Sequence, residues 1–269
     1  MKRYNANNQT KVTEYSSIAE FLNDINSLPN NQFYNDRTPS SQEEDESGWH
    51  GTNTYDEAVE LMKNGWKVTT EKISSRVKFT HTNSGIARSS KPAYGVVGSQ
   101  ASVPRYLQGI PTNMVSRQII YSKQKVITIT KGIAYPARVK PEEILEESIK
   151  AIQIIQSMEN KGQRVRLNIL LAVTKDNKTN ICKICIKQPD ERMSIAKMSF
   201  PLAHPSMLRR FCFKWIEVDP FTDIDLGYGY GKPSETTVIK NALDNNEYYL
   251  PPFIGDLDNA IREIENSVK

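Results

Sequence analysis

What this chain has little of narrows it first. No stretch approaches the roughly 18 consecutive apolar residues that a membrane-spanning helix requires, and hydrophobic residues make up only 38% of the 269. No membrane association is expected. Cysteine is scarce: Cys182, Cys185 and Cys212 are an odd set of three, which argues against a secreted disulfide framework and for a reducing compartment. Histidine is equally scarce. His50, His81 and His204 show neither HxH nor HxxxH spacing, so no sequence-local metal site is expected. Nor does one sign of charge dominate, since 35 Lys and Arg against 31 Asp and Glu leave +4. That surplus is too small to indicate a nucleic-acid footprint by itself. The opening Met1-Lys2-Arg3-Tyr4-Asn5-Ala6 leads into polar residues and not into an apolar signal core, which predicts an intracellular protein.

Two motifs that look chemical are discounted by their context. Cys182 and Cys185 have CxxC spacing, but they sit in a strand-like run where positions three apart face opposite sides, so they cannot jointly chelate or form a redox pair. Gly227, Gly229 and Gly231 precede Lys232-Pro233, where a phosphate-binding loop would need Ser or Thr in place of the proline.

What is present divides into three parts. Residues 1–48 are rich in Asn, Ser, Thr and acids, with one short periodic stretch at Ile18, Phe21, Leu22 and Ile25; they read as a polar, partly disordered N-terminal extension. Residues 49–124 read as a helical and irregular segment packing on a core. A helix is expected between Thr54 and Trp66, capped by Thr54 or Asn53 and stopped at Asn64-Gly65; Val77-Lys78-Phe79 suggests a strand, and Gly95, Gly98, Pro104, Gly109 and Pro111 break the rest into turns. Residues 125–269 carry the clearest pattern. Val126-Ile127-Thr128-Ile129 is a strand, Pro141 with Glu142 and Glu143 opens a helix, and Gly162 closes it before a buried strand over residues 165–173. The short polar turn that follows forces residues 181–187 to return antiparallel. Later expectations are a strand over residues 211–218, helices over 234–243 and 256–268, and a short strand near Tyr248-Tyr249-Leu250. This order predicts an α/β fold: a three-layer, Rossmann-like, mostly parallel sheet with one antiparallel edge strand, plus the irregular or helical N-terminal extension.

Candidate chemistry follows from a few positions. His204 precedes Pro205-Ser206 at a probable helix start and is followed by Arg209-Arg210, which suggests an anion site or partner surface built from a helix N-terminus and the arginine pair. Trp49-His50-Gly51-Thr52 resembles the HGT signature of ADP-ribosyltransferases, and the segment ending in Ala93-Tyr94 resembles that family's Ser-x-x-x-Tyr. The resemblance implies NAD as cofactor, with His50 on the ribose and Tyr94 stacked on nicotinamide. That family places HGT on a strand, whereas the residues before Trp49 here have a loop composition.

A broader resemblance covers roughly four fifths of the chain. Three blocks carry it: Gly51-Thr52 through Asn64-Gly65-Trp66; Val103-Pro104-Arg105-Tyr106-Leu107-Gln108-Gly109 through Met114; and Phe200-Pro201-Leu202-Ala203-His204-Pro205-Ser206 with Arg209-Arg210. Together they resemble an uncharacterised family of tailed-bacteriophage proteins, and the part after Lys125 resembles a von Willebrand factor A-like domain. The resemblance implies a phage-encoded, non-enzymatic protein–protein interaction protein, partnered by a phage or host protein, in the host cytoplasm during infection or in the virion. The metal-adhesion site of such domains needs Asp-x-Ser-x-Ser after the first strand, where this chain has Thr130-Lys131-Gly132-Ile133-Ala134; the site is therefore expected to be degenerate, without metal or other cofactor. The partner surface is expected beyond the carboxyl ends of the parallel strands, lined by Lys131, Arg138, Tyr228 and Tyr230. The ADP-ribosyltransferase reading and a role as virion or assembly component remain the alternatives.

Overall fold

In a computed structural model, residues 1–34, 40–77, 86–123, 125–226 and 230–268 are described. The chain begins with two strands, β1 (Lys2–Asn7) and β2 (Thr10–Tyr15), and helix α1 (Ile18–Ser27), which starts where the Ser17 hydroxyl accepts from the Glu20 N–H. Helices α2 (Tyr55–Asn64) and α3 (Lys67–Arg76) follow, then an antiparallel excursion of β3 (Ile86–Gly95), β4 (Gln100–Ala101), the short helix α4 (Val103–Leu107) and β5 (Met114–Lys123). Strand β6 (Val126–Gly132) leads into α5 (Pro141–Asn160), whose Pro141 and first-turn acids are where the sequence places them; Gly162 ends that turn with φ +81°. Strands β7 (Arg164–Lys175) and β8 (Lys178–Lys187) form a hairpin. Its two-residue turn holds Asp176 and Asn177 at φ +52° and +63°, the left-handed pair that matches the twist of antiparallel strands. The chain ends with α6 (Ile195–Ala203), a π-helical turn (Met207–Cys212) continuing as α7 (Phe213–Val218), then α8 (Thr236–Ala242), β9 (Glu247–Leu250) and α9 (Leu257–Val268).

Six strands form one sheet in the order β1-β2-β8-β7-β6-β9, with three parallel pairings and two antiparallel ones. The architecture is α/β with a mostly parallel sheet and flanking helices, consistent with a Rossmann-like fold. Two expectations are corrected. Strand β8 runs antiparallel to β7 as expected but is not an edge, because β2 pairs with it in parallel from Thr10 opposite Thr179 to Tyr15 opposite Ile184. And the N-terminal residues are no mere extension: Tyr15, Phe21, Leu22 and Ile25 join the main core. Lys183 and Lys187 of β8 are buried, as charged residues of a solvated edge strand would not be. A third difference concerns residues 211–218, expected as a strand and found helical; Phe211, Cys212, Phe213, Trp215, Ile216 and Val218 are all buried, so no exposed stripe reveals the 3.6-residue period. The Val77-Lys78-Phe79 candidate extends outside the described residues.

The two faces of the sheet are covered unequally. Odd-numbered β7 residues (Val165, Leu167, Ile169, Leu171, Val173) pack under α5 and the other helices in the main core, whereas Leu170 and Ala172 meet Val12, Ile181, Tyr249 and, from α8, Ile239 and Ala242. Beyond α8 this second face carries a polar chain to which every strand contributes one side chain. Glu247 of β9 accepts from Thr130 of β6, from Asn168 Nδ2 of β7 at 3.1 Å and from Lys183 Nζ of β8 at 3.1 Å; Lys183 also pairs with Glu14 of β2, which accepts from the Tyr4 hydroxyl of β1 at 2.9 Å. Among the described residues no helix is long and apolar enough to cross a membrane.

The polar chain fixes a pH window. Burial alone would raise the Glu14 carboxyl, but Lys183 and Tyr4 outweigh it and hold it below its ordinary 4.5; burial would lower the Lys183 ammonium, but Glu247 and Glu14 outweigh it and hold it above its ordinary 10.5. The stabilisation from Glu14 is therefore complete above pH 4.5 and lost as pH falls through its lowered value, while that from Lys183 is complete below pH 10.5 and lost as pH rises through its raised one. Substituting Lys183→Met leaves two uncompensated carboxylates and is expected to cost about 3 kcal/mol in urea unfolding at pH 7, with part of the loss recovered on acidification toward pH 4.

Candidate functional site

The HGT-like motif and the arginine pair meet in the interior, where they hold one another. Asp45 accepts from the Ser47 N–H at 3.0 Å, from the Ser47 hydroxyl and from the His50 N–H, and lies 3.1 Å from His50 Nδ1. Burial would raise the Asp45 carboxyl, but the Ser47 and His50 contacts hold it down at about 2. The Ser206 hydroxyl donates to the His50 carbonyl at 2.7 Å and lies 3.1 Å from the Thr52 hydroxyl. Gly51 adopts φ +82°, and a Cβ there would come within 3.1 Å of the His204 ring and 3.3 Å of Pro205, so the position needs glycine for both conformation and space. Thr54 caps α2 by accepting from Glu57 N–H, and Glu57 accepts in return from Asn53 N–H at 2.8 Å. Residues 49–54 are thus turns and a cap, with no strand under them.

Both arginines are spent on backbone. Arg210, fully buried, donates to the carbonyls of Ser41, Glu43, Thr52 and Asn53; Arg209, 2% exposed, donates to the carbonyls of Trp49 and Val139 and lies 4.5 Å above the Trp49 ring. His204 stacks on Phe200 at 4.5 Å, meets Trp66 edge-on, and accepts from Ser206 N–H at 3.1 Å. Burial pushes its imidazole down to about 4, so it is neutral at pH 7. The expected anion or partner surface at His204, Arg209 and Arg210 is therefore corrected: these side chains clamp residues 41–53 onto the π-helical turn and present no surface.

At the carboxyl end of β6 the expected surface also turns inward. Lys131 is 1% exposed and donates to the carbonyls of Pro251 and Pro252, each at 2.7 Å, and of Gly132 at 3.1 Å; burial pushes its ammonium down to about 7. It ties the end of β6 to the chain just past β9. Arg138 is exposed, Tyr230 is half-buried against Phe213 and Tyr34, and Tyr228 lies outside the described residues. Among the described residues no three His, Cys, Asp or Glu side chains are grouped to hold a metal ion, and the three cysteines are free and buried.

Exposed apolar surface gathers elsewhere. Strands β3, β5 and β4 form a separate antiparallel sheet that makes only marginal contact with the main sheet and its helices among the described residues. On this arm Tyr94, Val96, Val97, Val103, Tyr106 and Leu107 are exposed, Val97 at 81% and Leu107 at 78%. Tyr94 belongs here, its ring 4.2 Å beneath the Arg105 guanidinium, while His50 sits in the interior clamp. Of the arm's apolar residues the sequence offers only Tyr94 as a candidate site residue, with Val103, Tyr106 and Leu107 inside a block of family resemblance. The available signal was a segment of valines and tyrosines between glycines and prolines whose spacing fits no buried face.

The clamp makes a measurable claim. Arg210→Lys replaces a fork serving four carbonyls with one ammonium and is expected to lower unfolding stability by about 3 kcal/mol in urea titration, while Arg138→Lys stays within about 0.5 kcal/mol of the parent.

The family model described as a domain of unknown function, DUF7192, matches residues 3–268, that is, both sheets, the clamp and all but the ends of the chain. No curated protein and no solved structure matches. With its whole fold inside one family model, the chain belongs to the DUF7192 family.

Proposed function

We propose that this protein is a non-enzymatic, phage-encoded interaction protein that docks another phage or host protein through the tip of its β3–β5 arm. The observation that carries the reading is the concentration of exposed apolar side chains there: six of the nine large exposed hydrophobic residues among those described lie between Tyr94 and Leu107. Isolated exposed hydrophobes are ordinary, but a cluster on a projecting element is the usual mark of a protein contact.

Two further points support it. The resemblance to tailed-bacteriophage proteins runs through α2, through α4 with the start of β5, and through α6 with the clamp, which argues for host cytoplasm during infection, or the virion, as the place of action. In the von Willebrand factor A-like reading of the sheet, the position that would supply cation ligands after the first parallel strand holds Lys131, caged by carbonyls, a cation of its own where a divalent ion would sit. Docking without metal then falls to the arm. The ADP-ribosyltransferase alternative is disfavoured by His50, whose ring and backbone are occupied by Asp45.

The test pairs two exposed aliphatics. Val97→Asp with Leu107→Asp is expected to leave the melting temperature unchanged and to weaken capture of a partner from infected cells ~10-fold or more. Undiminished capture by that variant defeats the arm as docking surface. Incubation with labelled NAD is expected to transfer no ADP-ribose to any protein; incorporation that depends on His50 would overturn the non-enzymatic reading.

A further inference from the structure

The near-neutral total charge conceals a strong asymmetry. Glu71 and Glu142 are consecutive acidic residues in the chain, and the 70 positions between them hold twelve Lys and Arg. The remainder carries 23 basic against 31 acidic residues. The arm lies wholly within the acid-free stretch: between β3 and β5 it holds Arg88, Lys91, Arg105, Arg117 and Lys123 and no Asp or Glu.

Register puts Arg117 and Tyr94 on one face. Tyr94 is opposite Val115, Pro92 opposite Arg117, Arg88 opposite Tyr121 and Ile86 opposite Lys123, with no break in the pairing. Residues two apart along a strand share a face, so Tyr94 and Arg117 lie on the same side of a ribbon of ten-residue strands, roughly 33 Å long. Arg117 is exposed, Tyr94 is 49% exposed with Arg105 over its ring at 4.2 Å, and Tyr106 stands beside Arg105 at 67% exposure. Arginines set beside exposed tyrosine rings suit a ligand that offers both negative charges and flat aromatic faces. A polyacidic peptide supplies only the first. Paired bases in a duplex hide the second.

We propose that this face of the arm binds single-stranded nucleic acid, with phosphates against Arg105 and Arg117 and unpaired bases stacked on Tyr94 and Tyr106. The inference goes beyond protein docking and rests on residues other than Val97 and Leu107, so the two readings fail separately; together they describe an adaptor that brings a protein to a strand.

The test uses the full chain and fluorescein-labelled 20-nucleotide oligo(dT) or oligo(rU), followed by fluorescence anisotropy between about 50 and 200 mM salt. Binding of either strand is expected, with log K falling against log salt at a slope of about −1.4, as two phosphate contacts would give. Tyr94→Ala is expected to weaken binding roughly tenfold and Tyr94→Phe to restore it, because the stacking face is kept; Arg117→Gln is expected to weaken binding and to flatten the slope by about 0.7. Both sites are exposed, and unchanged circular dichroism and melting confirm folding. Absence of binding at 50 mM salt overturns the proposal. So does binding that Tyr94→Ala leaves intact, or that duplex DNA or polyglutamate matches in strength.

Discussion

A single lysine held between carboxylates from opposite ends of the chain closes the main sheet. Lys183 reaches Glu14, near the N-terminus, and Glu247, near the C-terminus, so the strands that carry those residues are joined by charge as well as by backbone ladders. A buried ion pair of this kind adds little net stability over an apolar substitute, yet breaking it is costly. Its effect is on which arrangement forms. Glu14 on β2 and Glu247 on β9 both reach Lys183 from either side of the β6-β7-β8 block.

The same economy governs the other buried cations. Lys131, Lys187, Arg209 and Arg210 are each nearly inaccessible, and each is matched: Lys131 by three carbonyls, Lys187 by Glu159 at 2.7 Å and the Val165 carbonyl at 2.9 Å, the arginines by six carbonyls between them. Loops without regular structure leave carbonyls that must find donors when buried. Residues 41–53 and 251–252 are such segments, and long cationic side chains from helices and strands serve them. Positions that look like ligand sites in a one-dimensional reading are therefore used up in holding irregular backbone.

The arm obeys the opposite rule. Val96, Val97, Val103, Tyr106 and Leu107 of the arm face solvent. The antiparallel ladder of β3 and β5 satisfies its own backbone, and exposed side chains on such an element suit a binding device.

Local pattern alone was enough for the β6–α5–β7–β8 block: Pro141 with its acids, Gly162, and the Asp176-Asn177 turn are each dictated by backbone geometry within a few residues, and the opposed faces of Cys182 and Cys185 follow from alternation. The short strand β9 and helices α8 and α9 were legible for the same reason. Only the tertiary structure decided that the N-terminal residues complete the sheet, that residues 211–218 are helical, that His204, Arg209, Arg210 and Lys131 face inward, and that the exposed chemistry lies on the arm. Periodicity reports a segment that buries one face; it is silent on a segment buried all round and on a charge whose partner is 169 residues away, as the Ser41 carbonyl is from the Arg210 guanidinium. Those outcomes depend on which distant groups meet, and that is settled by the packing of the whole chain.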